Sequence, residues 1–94
     1  MKIEHKELGL EYELKDDLRQ REIEAFFKAR RELGGDKNLS GPEHNGCVVR
    51  AAVRGEWVDG ISEDDVDTMH PAAVTWLASE IQDAIGAAFE VPGE

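Results

Sequence analysis

Six carboxylates crowd the stretch EWVDGISEDDVDTMHP, Glu56 to Pro71, and the first chemistry they suggest is cation binding. A calcium loop of the EF-hand kind needs a glycine at its sixth position and oxygen ligands at its first, third and twelfth. With Gly60 as that glycine, the ligand positions fall on Gly55, Trp57 and Val66, none of which offers a side-chain oxygen. The acids instead lead into a helical pattern, where the unpaired amides of a helix start favour negative charge by about 0.3 to 1 kcal/mol each. No metal site is expected here.

Other reactive residue types are present without the spacing that chemistry requires. His5, His44 and His70 lie in three separate segments, with no pair four apart on one helix to suggest zinc. His70, just before Pro71, reads as a cap or turn residue. Cys47 is the single cysteine, which leaves no intrachain disulfide and no cysteine cluster. Its setting, CVVRAAV, predicts a buried structural thiol rather than a nucleophile. The loop GGDKNLSG lacks the Gly-Lys-Ser or Gly-Lys-Thr ending of a phosphate cradle. Neither Ser40 nor Ser62 has a nucleophile motif around it. Paired carboxylates abound, but general acid and base work needs two whose environments push their pKa values apart, and nothing singles out a pair. The expectation is a protein that performs no bond chemistry and uses no cofactor.

The elements that would position these residues can be read from periodicity. The 94 residues make one small domain with one modest core. Residues 2–14, KIEHKELGLEYEL, alternate after Gly9 with a period of two and read as a β-hairpin turning at Glu7-Leu8-Gly9. Such a hairpin is marginal alone, so it must lie on helices or accept a neighbouring strand at an open edge. Asp16 or Asp17 supplies an N-cap for a helix over 17–33, which stops at Gly34-Gly35. Its Ile23, Phe26, Phe27 and Leu33 fall at helical spacing with Arg30 on the flank. Residues 34–44 read as a loop, and a second helix over 45–54 opens at Glu43 or Asn45. Arg50 and Arg54 share one side of that helix and have the acids of 56–67 as natural mates. Residues 55–69 form an acidic turn and short helix, with Ser62 and Asp65 spaced as a capping box. Pro71 then leads a last helix over 71–90, and residues 91–94 are expected to fray.

That last helix is apolar beyond the needs of a small core. Thr75, Ser79, Gln82, Asp83, Gly86 and Glu90 form a narrow polar stripe opposite Val74, Leu77, Ala78, Ile81, Ile85 and Ala88. Ala73, Trp76, Ala84, Ala87 and Phe89 widen the apolar side, which marks these five as candidate partner-binding residues. The expected core is Ile23, Phe26, Phe27, Val49, Val53, Leu77, Ile81 and Ile85, with Trp57 folded back onto it. The expected fold class is mainly α with an α+β character: three to four helices and a short N-terminal β-hairpin.

Charge narrows the partners. The net charge is −10, and no Lys or Arg follows Arg54, whereas ten acids do. An acidic surface repels phosphate backbones, so direct nucleic-acid binding is not expected. No apolar run reaches membrane-span length and no signal peptide opens the chain, which predicts a cytoplasmic protein. A protein partner, or a second copy of the chain, remains.

The hairpin KIEHKELGLEYEL, the segment VRAAVRGEWVDG and the run VDTMHPAAVTWLASEIQDAIGAAFEVP together cover most of the chain. In that order they resemble the small proteins of tail-gene modules in long-tailed bacteriophages and prophages, most of all the tail assembly chaperone type. The resemblance rests on an Arg-Ala-Ala-x-Arg-Gly-x-Trp turn, a Pro-led final helix with a Trp-Leu-Ala centre, and a closing Val-Pro. It implies an acidic helper in the cytoplasm of a bacterial host. Such a helper keeps the long apolar tape measure protein soluble while tail tube subunits gather on it, without cofactor or bond chemistry. No residue-level binding motif carries over. Two other readings stand beside it: an acidic phage-encoded inhibitor that mimics nucleic acid, and a small structural virion component such as a connector or tail subunit.

Overall fold

A computed structural model describes residues 1–90; the expected fraying of 91–94 lies outside the described residues. The elements in chain order are β1 (Lys2–His5), β2 (Leu10–Leu14), α1 (Gln20–Glu32), α2 (Gly41–Arg54), β3 (Val58–Asp59), α3 (Glu63–Thr68) and α4 (Pro71–Ala88). Among the described residues, four helices thus accompany a three-stranded antiparallel sheet of order β1-β2-β3. The chain is mainly helical with an N-terminal hairpin, as its periodicities imply.

The hairpin closes where Gly9 takes a left-handed φ of 65° and its N–H donates to the Lys6 carbonyl at 3.1 Å. Ile3 stands opposite Tyr12 and His5 opposite Leu10. Strand alternation therefore gives the sheet an inner face of Ile3, His5, Leu10, Tyr12 and Leu14 and an outer face of Lys2, Glu4, Glu11 and Glu13. Burial agrees: Ile3 and Leu14 are buried, while the four outer residues are exposed. The third strand was not expected from the sequence, because two residues carry no readable period. Val58 pairs with Leu14 and Asp59 with Glu13, and the Lys15 N–H donates to the Trp57 carbonyl at 2.8 Å.

Two helix starts differ from the sequence expectation, and each has a local cause. The first helix begins at Gln20 rather than 17, with Arg19 as N-cap, whose backbone N–H donates to the Glu22 carboxylate at 3.2 Å. Leu18 and Ile23, the flanking positions of a hydrophobic staple, are both buried in the core, with the chain extended at Arg19. The second helix begins at Gly41, not 45. Ser40 caps it, accepting from the Glu43 N–H at 3.3 Å while Glu43 accepts from the Ser40 N–H at 3.1 Å. Gly41 and Pro42 sit in the first turn, where amides have no intrahelical partner, so their loop-like chemistry costs nothing there.

Helix ends are set by backbone handedness. At the end of α1, Gly34 adopts φ 86° and the Gly35 N–H donates to the Arg30 carbonyl at 2.7 Å, closing a Schellman turn. Gly35 is buried, and a Cβ there would lie 2.8 Å from that same carbonyl. At the end of α2 the residue in the left-handed region is Glu56, φ 62°, and not Gly55. The Trp57 N–H then donates back to Ala52 at 2.9 Å, and the chain turns inward.

The core is organised on α2, which contacts α1, α3, α4 and β3. Its Cys47, Val48, Val49, Ala51 and Ala52 are buried with Ile23 and Phe26 of α1 and Leu77, Ala78 and Ile81 of α4. Trp57, 2% exposed, stacks on Phe26 at 4.9 Å between ring centroids. Such an aromatic pair contributes about 0.5 to 1.5 kcal/mol beyond area burial. Val53 and Ile85, expected in the core, lie half-buried at its margin. Phe27, also expected there, is 36% exposed. Neighbouring residues of a helix point about 100° apart, so with Phe26 centred on the core Phe27 must face its edge.

Candidate functional site

The base of the acidic stretch is structural. Ser62 and Asp65 cap α3 reciprocally, at 2.8 Å and 3.3 Å. Arg54 holds Glu63 through two nitrogens, at 2.9 Å and 3.2 Å, and Arg50 pairs with Asp67. The hydrogen bond from Arg54 holds the Glu63 carboxyl below its ordinary range, against a smaller opposing desolvation. His70 caps α4, its Nδ1 accepting from the Ala72 N–H at 3.1 Å. Among the described residues, no three His, Cys, Asp or Glu side chains are grouped to hold a metal ion. Cys47 is buried, its Sγ donating to the Arg30 carbonyl at 3.5 Å, and desolvation raises its thiol pKa above the ordinary value. A thiol held in that state is a poor nucleophile.

The five candidate partner-binding residues do not form one surface. Ala73 is 3% exposed and therefore buried, which removes it from any partner contact. Trp76 is half-buried against the hairpin, edge-on to His5 at 5.5 Å and tilted over Tyr12 at 6.2 Å. Ala84 is half-buried against the core, Ala87 is exposed, and Phe89 is 67% exposed. At about 100° per residue, Ala73, Trp76, Ala84 and Ala87 cluster on one side of α4. Phe89 falls on the opposite side with Gln82, Ile85 and Gly86. The first side carries Trp76 to the sheet; the second is open.

That open side borders an apolar groove of about 370 Å³. Phe26, Phe27 and Arg30 of α1 form one wall, His44 and Val48 of α2 the floor, and Gln82, Ile85 and Gly86 of α4 the other wall. The His44 and Gln82 side chains meet across α2 and α4 at 3.2 Å. Gly86 has open space where a Cβ would stand, so the wall is low there and the groove is accessible.

No family model, curated protein or solved structure matches this chain. The groove is thus defined by its own residues. Phe27, Ile85 and Gly86 were legible as residues but not as a site. Phe27 and Ile85 read as core by spacing, and Gly86 as part of a polar stripe. The available signal was the pair Phe26-Phe27, since two adjacent aromatics on a helix cannot both point to one core. No helix in the described residues is long and apolar enough to cross a membrane.

Proposed function

We propose that this chain is a non-enzymatic assembly factor that holds an apolar helix of another protein in the groove between α1 and α4. The observation that carries this reading is an apolar groove with two exposed aromatics, Phe27 in its wall and Phe89 one turn beyond Ile85. A groove bounded by two helices over a third is the setting in which an amphipathic helix buries its apolar face. The resemblance to tail assembly chaperones supplies the partner, a long helical tape measure protein, and the compartment, the cytoplasm of a bacterial host. High net charge suits a factor that must keep such a partner soluble.

The test uses a tape measure protein of a long-tailed phage, the long apolar helical partner this reading requires, produced together with the wild-type chain, with Phe27→Asp or with Gly86→Leu. Gly86→Leu adds a side chain into open space and replaces glycine in a helix, so the variant keeps its fold while its groove is filled. The long protein is expected in the supernatant after sedimentation with wild type and in the pellet with either variant. Equal solubility with all three overturns the reading.

The outer face of the sheet favours a second reading, the acidic mimic of nucleic acid. Glu4, Glu11, Glu13 and Asp59 share that face with Lys2. A mimic of that kind loses its host partner steeply with added salt, whereas an apolar contact does not.

A further inference from the structure

β1 is an edge strand with one side of its backbone unpaired among the described residues. Which groups face outward follows from the ladder. Met1 and Leu14 exchange both backbone bonds, Met1 N to the Leu14 carbonyl at 2.8 Å and Leu14 N to the Met1 carbonyl at 2.7 Å. Hydrogen-bonded pairs alternate along an antiparallel ladder, so Ile3 and His5 also direct their N–H and C=O at β2. Lys2 and Glu4 direct theirs at the open edge.

We propose that two copies of this chain pair antiparallel through β1 about a two-fold axis at Ile3, joining their sheets into one of six strands. A two-fold axis perpendicular to the sheet keeps inner faces together, and of the registers it permits, those centred on Ile3 and Glu4 overlap the most of this four-residue strand. Centred on Glu4, the pairing sets Glu4 against its own copy and Lys2 against Lys6 of the second copy, like charges at every outer position. Centred on Ile3, it sets Lys2 against Glu4 of the second copy twice, and Ile3 against Ile3 on the apolar face. That register also makes Lys2 and Glu4 the hydrogen-bonded pairs, matching the outward direction of their backbone groups. Within one chain Glu4 stands opposite Glu11, and Glu11 is held by Lys2 at 2.9 Å while Glu4 has no ion-pair partner among the described residues. Lys2 of the second copy supplies it. The groove is on another part of the molecule and takes no part.

Sedimentation equilibrium of the whole chain at concentrations up to about 100 µM tests the proposal. Wild type is expected to dimerise in that range. Glu4→Lys places lysine against lysine at both positions and is expected to weaken the dimer about tenfold or more. The exchanged variant Lys2→Glu/Glu4→Lys restores opposite charges and is expected to recover the dimer. Glu4→Pro removes an outward N–H, which an edge strand tolerates, and is expected to leave a folded monomer by circular dichroism. Gly86→Leu should dimerise like wild type, which separates this interface from the groove. A wild-type monomer throughout the range, or a dimer indifferent to both Glu4→Lys and Glu4→Pro, overturns the proposal.

Discussion

Glu56 occupies the backbone position after α2 that glycine ordinarily fills. Its left-handed φ of 62° costs an L side chain about 1 kcal/mol or more, and its carboxylate sits at the negative end of the α2 dipole. Glu56→Gly removes both penalties, at the expense of a more flexible unfolded chain. Net stabilisation of about 0.5 to 1 kcal/mol is expected by urea denaturation. An unchanged or lowered midpoint would mean that the carboxylate has a favourable contact which offsets the backbone strain. Gly55, the residue that caps the end of α2, lies in ordinary backbone with φ −83°. The left-handed residue is the one after that glycine, because the hydrogen bond from Trp57 to Ala52 decides which residue must be left-handed.

At the scale of elements, α3 is too short to stand alone and is tied to α2 by Arg50 and Arg54. The lowered pKa of Glu63 makes that tie pH-dependent. The folded value lies below the ordinary 4.5, so the pair's contribution is present above that value and is lost as pH falls through the folded one. Glu63→Gln is therefore expected to be less stable than wild type at neutral pH, by less than about 1 kcal/mol because the pair is partly solvated. The two should converge as pH falls below 4.5. Thermal melts across that window check it, and a constant difference would show that the pair does not titrate with folding. The same scale explains α4. Its apolar excess reads as one broad surface in sequence, yet the sheet takes one side through Trp76 and leaves the other to the groove.

For the whole molecule, the decisive quantity is charge. Ten acids follow Arg54, and of these Glu63 and Asp67 find arginines on α2, while Asp59 joins Glu4, Glu11 and Glu13 on the outer sheet face. The arginines answer only part of the acidity, and the surplus repels itself. Raising salt from about 0.01 M to 0.2 M shortens the Debye length from about 30 Å to below 10 Å. It should therefore raise the thermal midpoint by a stabilisation of about 1 kcal/mol or less. A midpoint that falls would show that the ion pairs of α2 with α3 outweigh the self-repulsion.

The sequence by itself determined the helical and strand periodicities, the hairpin turn at Gly9, the Ser62–Asp65 cap, the burial of Cys47 and Trp57, and the pairing of Arg50 and Arg54 with the acids beyond them. These depend on neighbours within a few turns, where spacing fixes geometry. The start of α2 was also written locally, in Ser40 and Glu43, but was masked by Gly41-Pro42. Only the tertiary structure decided that Val58–Asp59 completes the sheet, that Ala73 is buried while Phe27 is not, and that Phe27, Ile85 and Gly86 share a groove. Those outcomes depend on how α1, α2 and α4 approach one another, and a single helix cannot encode which side of its apolar stripe a distant element will cover.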